Sequence, residues 1–343
     1  MIKTLIKKFI LYFGPWSLLR IIERRKYGAG VSILYGHRVL SDSIIANKND
    51  PRRITGHTSV SEVESAIKEL RKRFSIISMD EAISQIKSGN ILKESVVLTF
   101  DDGFKDNFKY LLPVLQKHQV PATYYINSSV IETKRNLWFQ SVINYFFAIK
   151  EDKVKIEVSD TEYDLSTPQK RYSAAFDFMQ YLQTNYKPQE FHQVIESIAG
   201  DKALPHESDY HLNWNELKLL ADDPLITIGA HSFNHYPLGY CDEELSKFEI
   251  EKSVTDLEDK LDIKINHFSY PRGHVEDFND WHIRVLKELG ISSAVTTIRG
   301  VNRKGQDLYQ IKRVGFPQNI SDDVEDFLWH VGGIPQLIAS LRS

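Results

Sequence analysis

The chain reads as an α/β protein built on a parallel sheet, and three observations predict it. Short β-type runs alternate with helically spaced segments from residue 31 onward. Some of those runs, Ser95 to Phe100 above all, are continuous rather than alternating, as strands buried on both faces are. The strings that carry candidate chemistry follow such runs directly, at the C-terminal strand ends where α/β barrels gather their working groups.

Taken in order, Val31 to Tyr35 reads as the first strand. Ser61 with Glu64 forms a capping-box pattern, after which Val63, Ile67, Leu70 and Phe74 recur at helical spacing. A second helix is expected from near Asp80 to Gly89. The strand Ser95 to Phe100 precedes a helix carrying Phe108, Leu111, Leu112 and Leu115. Further strands are expected at Ala122 to Ile126, Leu225 to Ile228, Phe268 to Tyr270 and Ser292 to Thr297, with a charged helix over roughly 242–261. The stretch from about 132 to 212 breaks the rhythm. It offers an aromatic helix at Trp138 to Phe147, a hairpin over 153–165 and a polar helical region, and reads as an insertion. Past Ser321 a short tail helix is expected, then Gly332, Gly333 and Pro335. The expected organisation is a basic N-terminal segment over 1–30, a body over 31–318 and a tail over 319–343.

The totals bound the answer. At 343 residues, 42% hydrophobic and 26% charged, the chain can bury a full core, and one barrel of ~200–250 residues with attachments fits its length. A formal charge of −3 and the lack of basic blocks interleaved with aromatics argue against nucleic acid. Cys241 is the only cysteine, which excludes an intramolecular disulfide and a thiolate zinc cage; any metal must sit on His and carboxylate.

Residues 1–26 hold seven Lys or Arg against one Glu. Within them Phe9 to Leu19 is uncharged, yet too short for a span of about 20 residues. Three readings fit: an interfacial helix presenting Phe9, Phe13, Trp16 and Leu19 to anionic lipid, kinked at Gly14 and Pro15; a helix packed on the body; or a signal peptide or anchor. There is no clear small-x-small cleavage site, so the expected location is the cytoplasm or the inner face of the membrane.

Four strings carry candidate chemistry. Thr99-Phe100-Asp101-Asp102-Gly103 closes the strongest buried strand. Two adjacent carboxylates at a glycine turn can divide cation binding and proton acceptance between them, although Asp-Gly is also a common turn. His231-Ser232-Phe233-Asn234-His235 sets two imidazoles four residues apart, on one face if the segment is helical. Chance alone would supply roughly 0.4 such pairs, so spacing by itself decides nothing. Position does more. With one carboxylate the pair completes a two-His, one-carboxylate set with open coordination sites, for which zinc is the expected ion. Phe268-Ser269-Tyr270-Pro271-Arg272-Gly273 ends a strand in a turn able to aim backbone N–H groups into a mouth, and His37 follows the first strand.

These four pieces, in this order and over about residues 31–316, resemble the polysaccharide deacetylases, carbohydrate esterase family 4 with its NodB homology domain. The resemblance implies a distorted (β/α) barrel with an inserted segment and a metal-dependent hydrolase that removes acetyl groups from N-acetylated sugars of a bacterial glycan. It implies Asp101 as general base and Asp102, His231 and His235 as metal ligands. The backbone N–H of Arg272 would bind the oxyanion, and His37 would act as general acid, as in a permuted branch of the family. The arginine usual two residues before the motif proline is Ser269 here; Arg313, in Ile311-Lys312-Arg313-Val314, is the expected substitute for orienting Asp101. Asp280-Trp281 echoes another family motif but follows Gly273 too soon, so a helix start is expected there. The substrate class expected is an N-acetylated glycan or lipid-linked sugar. Two rival functions stay open at this point: an O-acetyl carbohydrate esterase, and a non-catalytic glycan-binding relic.

Overall fold

The computed structural model describes residues 22, 24–54, 57–131, 133, 135–203, 210–316 and 324–340. Most of the basic N-terminal segment, including Phe9, Phe13, Trp16 and Leu19, lies outside the described residues.

Among those residues, seven strands rich in β-branched and aromatic side chains form the main sheet: β1 (Val31–Gly36), β2 (Ser95–Phe100), β3 (Ala122–Ile126), β4 (Ile226–Ala230), β5 (His267–Ser269), β6 (Ser293–Arg299) and β7 (Ile311–Gly315). Each pairs in parallel with its sequence neighbours, from Val31 opposite Ser95 to Val295 opposite Ile311. Leu34 opposite Val314 then joins β7 back to β1, so the sheet closes on itself and leaves no edge among these seven. A minor strand, Ser75–Ile76, adds beside the start of β2.

Parallel pairing needs long crossovers, and helices supply all but the last. The principal ones are α1 (Val60–Arg71), α2 (Met79–Ser88), α3 (Leu112–His118), α4 (Trp138–Ala148), α5 (Pro168–Asn185), α6 (Phe191–Ala199), α7 (Trp214–Ala221), α8 (Glu243–Leu261) and α9 (Asp280–Glu288). After the barrel follow α10 (Val324–Val331) and α11 (Ile334–Ser340), so the tail holds two short helices where one was expected.

Alternation along the strands sorts two buried layers. Leu34, Val96, Leu98, Tyr124, Ala230 and Phe268 face the helices, whereas Val31, Ile33, Val97, Tyr125, Val295 and Ile311 pack inside with Met79, Ala82, Ile83 and Ile86 of α2. His267, the first residue of β5, bonds Asp80 in the first turn of α2 at 3.0 Å. That contact sets α2 at the N-terminal end of the strands.

One local expectation shifts. The cap of α1 is Ser59, whose hydroxyl accepts from Glu62 N–H at 3.1 Å; Ser61 lies inside the helix and donates to Asp42 instead. Both Ser-x-x-Glu pairs fit the pattern, and the short strand His57–Ser59 ending at Ser59 selects the earlier one. Asp280 does open a helix, capped by Asn279. Between β3 and β4 the chain builds α4, an antiparallel hairpin (Lys153–Ile156 with Thr161–Asp164), α5 and α6 around a core of their own that includes Trp138, Phe146, Phe178 and Phe191.

Candidate active site

The chain segments leaving β1, β2, β4 and β5, together with Arg313 inside β7, converge on one cleft of about 680 Å³ that contains His37, Asp101, Asp102, His231, His235, Arg272 and Arg313. All seven sequence-predicted site residues therefore line one space.

Asp102 is 2% exposed, and its Oδ1 has no hydrogen-bond partner although it is buried. It lies 3.4 Å from His231 Nε2 and 3.3 Å from His235 Nε2. Those separations exceed an ordinary hydrogen bond. They match the edge of a tetrahedron around a cation with ligand bonds of about 2.0–2.2 Å. His231 Nδ1 sits 2.7 Å from the carbonyl of Ser269, which requires the proton on Nδ1 and leaves the Nε2 lone pair facing Asp102. Burial lowers His235 to a pKa of about 4, so its ring is neutral at pH 7. Burial opposes the Asp102 charge, yet the two imidazoles hold that carboxyl well below the usual range. Two imidazoles, that of His231 oriented by its carbonyl partner, and an ionised, unsatisfied carboxylate, with ligand atoms within 4.8 Å of one another, fit a divalent cation.

The His pair does not meet on a helix face. Residues 231–237 are irregular backbone, with Ser232 at φ 60° and His235 at φ 59°. Asp102 (φ 77°) and Arg272 (φ 60°) share that left-handed conformation, which costs a non-glycine residue about 1–2 kcal/mol. The other three such residues described, Gln119, Asp160 and Asp262, are helix C-caps, where it is routine. Strain without a capping role is therefore concentrated in the cleft. The loop that carries both His is held from outside. Glu249 of α8, fully buried, accepts from Asn234 N and Asn234 Nδ2 at 2.7 Å each, and its carbonyl accepts from Phe233 N at 3.0 Å. Burial raises its carboxyl to about 7 despite these donors.

Asp101 faces a different set. Arg313 donates to its two oxygens at 2.9 and 2.8 Å, and spends its remaining donors on Thr296 O, Thr99 Oγ1 and Ser269 Oγ. The guanidinium reaches Asp101 from β7, and the small Ser269 leaves room for it. Burial works against a charged Asp101, but Arg313 and then His231 outweigh it and keep the carboxyl below its ordinary value. His231 Nε2 is 3.9 Å away. His37 follows β1 at the cleft, its carbonyl accepting from Asn107. Arg272 sends its side chain sideways, to Gln183 at 3.1 Å and toward Asp277 at 3.4 Å.

Sequence reading missed three supports. Glu249 carries no motif. Arg38, buried and paired with Asp106 over the Phe104 ring, braces the chain after Asp102. Tyr172, Phe176 and Met179 of α5 form a wall of the cleft, because the insertion folds back over the barrel mouth.

The fold class defined by these observations is a closed seven-stranded parallel (β/α) barrel whose polar centre sits at the C-terminal mouth. A family model described as polysaccharide deacetylase matches residues 88–294, and the chain belongs to the polysaccharide deacetylase family, a family of hydrolases. Solved structures share the fold. A deacetylase of Streptococcus pyogenes, PplD, solved with acetate, is 16% identical over 88% of this chain and 98% of its own, with a TM-score of 0.57. IcaB from Ammonifex degensii is 18% identical over 89% and 98%, with a TM-score of 0.55. The Bacillus cereus polysaccharide deacetylase BC0361 is 17% identical over 88% of this chain and 69% of its own, with a TM-score of 0.54. Comparison with curated proteins finds no match. No helix among the described residues is long and apolar enough to cross a membrane.

Proposed function

We propose that the chain is a metal-dependent N-deacetylase that hydrolyses the acetamido group of an N-acetylated sugar in a bacterial glycan. One observation carries the reading: Asp102, His231 and His235 bring ligand atoms within 4.8 Å of one another around an unpartnered Asp102 Oδ1, while a second carboxylate, Asp101, is held beside them by a different partner. A divalent ion on those three residues, zinc by the chemistry of the donors, supplies Lewis acidity toward the acetyl carbonyl and lowers the pKa of water.

The chain's own groups do the rest. Asp101 stays ionised through Arg313 and takes the proton of the attacking water. The backbone N–H of Arg272, on its left-handed turn, donates to the oxyanion of the tetrahedral carbon. His37 protonates the sugar nitrogen as the C–N bond breaks, releasing acetate and a free amine. Residues 31–318 form the catalytic barrel in this reading, with the insertion at about 132–212 and the tail at 319–343. Residues 1–26 make peripheral contact with the inner face of the membrane.

Purified protein given zinc or cobalt should release acetate from N-acetylated glycans and stop on chelation. Assay of paired N- and O-acetyl substrates should show preference for the amide. Retention of normal turnover by Asp101→Asn overturns the base assignment, and preference for the ester overturns the substrate assignment.

A further inference from the structure

A second, smaller cavity of about 150 Å³ lies apart from the cleft, and its lining holds three cations, Arg299, Arg303 and Lys312, but no carboxylate. Arg299 ends β6, and Lys312 is the second residue of β7. Because Lys312 precedes Arg313, strand alternation turns it away from Asp101. The chain between them crosses the start of β1, where Asn302 and Val31 exchange backbone hydrogen bonds at 2.8 and 2.9 Å. Arg303 is anchored by that crossing. Its guanidinium sits 5.3 Å over the ring of Tyr27, which also lines the cavity, and its Nε donates to the Gly28 carbonyl at 3.5 Å. Gly300 shapes the remaining side. A Cβ there would stand 2.7 Å from Lys312 Cδ, so glycine lets the lysine stem lie along the backbone beside the cavity.

Other lysines of this chain find carboxylates, as Lys105 does with Glu216 at 2.9 Å and Lys264 with Glu258 at 2.7 Å. Arg299 and Lys312 have no ion pair and no side-chain hydrogen bond among the described residues. Like charges gathered around one small space repel, and packing alone does not select them. An anion reverses the sign of that interaction. Size narrows the choice: at about 30 Å³ per water, the cavity suits a small tetrahedral anion and is too small for a nucleotide. Donor chemistry narrows it further. Two guanidiniums and an ammonium around one point match the several oxygens of a phosphate group better than the two of a carboxylate.

We infer that this cavity is a phosphate-binding site, separate from the cleft and independent of its chemistry. The phosphate is either free or carried by a lipid headgroup, since Tyr27 marks where the basic N-terminal segment enters the body.

The test uses the full chain with metal chelated, so that no ion in the cleft can hold phosphate. Wild type is compared with Arg299→Gln/Lys312→Gln and with Lys48→Gln/Lys150→Gln, which removes the same charge at two exposed positions elsewhere. Inorganic phosphate is titrated calorimetrically at about 0.15 M ionic strength. Vesicles of phosphatidylglycerol and phosphatidylcholine in equal parts are sedimented with the protein, pure phosphatidylcholine serving as the blank. A charge-assisted hydrogen bond is worth about tenfold in affinity, so the cavity substitution should weaken binding by about tenfold or more and the control pair by less than about threefold. Such a loss in the phosphate titration supports a site for free phosphate, and one confined to the vesicles supports a site for the lipid headgroup. Equal losses in the two variants, binding that survives the cavity substitution, or no binding of either probe overturns the site.

Discussion

Arg313→Gln isolates the side chain that holds Asp101. The side chain is fully buried and bonds both oxygens of Asp101, so the substitution leaves a buried carboxylate facing an amide that can satisfy one oxygen at most. Removing one partner of such a pair costs about 3–5 kcal/mol. The cost has a pH signature. With Arg313 present, the folded-state pKa of Asp101 lies below its ordinary 3.8, so the carboxylate stabilises the protein above that value and the contribution disappears as pH falls through the folded-state value. Without Arg313 the largest opponent of burial is gone and His231 remains, so the folded-state pKa rises and the carboxylate's contribution at neutral pH shrinks. The gap between the two proteins should therefore widen from pH 4 to pH 7. Urea denaturation across that range measures it, and the acid limb of kcat/KM should move to higher pH in the variant. A gap below about 1 kcal/mol at pH 7, or one independent of pH, refutes the reasoning.

Further outcomes follow from other contacts. Glu249→Gln keeps an acceptor for Asn234 but removes a buried acid whose pKa stands at about 7 against an ordinary 4.5, a difference of about 3 kcal/mol at most. A raised acid is stabilising below 4.5 and loses that contribution as pH climbs to about 7, so wild-type stability should drop between pH 4.5 and 7 and the variant's should not; thermal midpoints at pH 4.5, 6 and 8 read this. Asp101→Asn should retain cation binding and lose about 10²–10⁴ in turnover, whereas Asp102→Asn should lose both; metal titration beside the acetate assay separates them. His37→Gln should depress hydrolysis of an N-acetyl sugar about 10²–10⁴-fold and that of an activated aryl acetate far less, because only the amine leaves by taking a proton. Equal losses on the two substrates would remove the general-acid role.

Much of the barrel was legible because strands buried on both faces are continuous in sequence; Ser95–Phe100 and Ala122–Ile126 match the expected runs residue for residue. Closure was not legible. It depends on Leu34 meeting Val314, and no local pattern encodes a contact across the whole chain. The His pair was legible by spacing but for a different reason, since left-handed turns rather than a helix bring the rings together. Arg313 was named for this role from its place on the last strand, and the fold sets it against Asp101, 212 positions away in sequence. Glu249 and the α5 wall gave no signal, because a helix pattern shows which residues are apolar but not which surface they meet.

Anomalous diffraction from a crystal of the zinc-loaded protein locates the cation. A single strong peak is expected about 2.0–2.2 Å from Asp102 Oδ1, His231 Nε2 and His235 Nε2, with Asp101 outside its coordination. A zinc ion bound anywhere else in a protein that still releases acetate, or one ligated by Asp101 in place of Asp102, contradicts it.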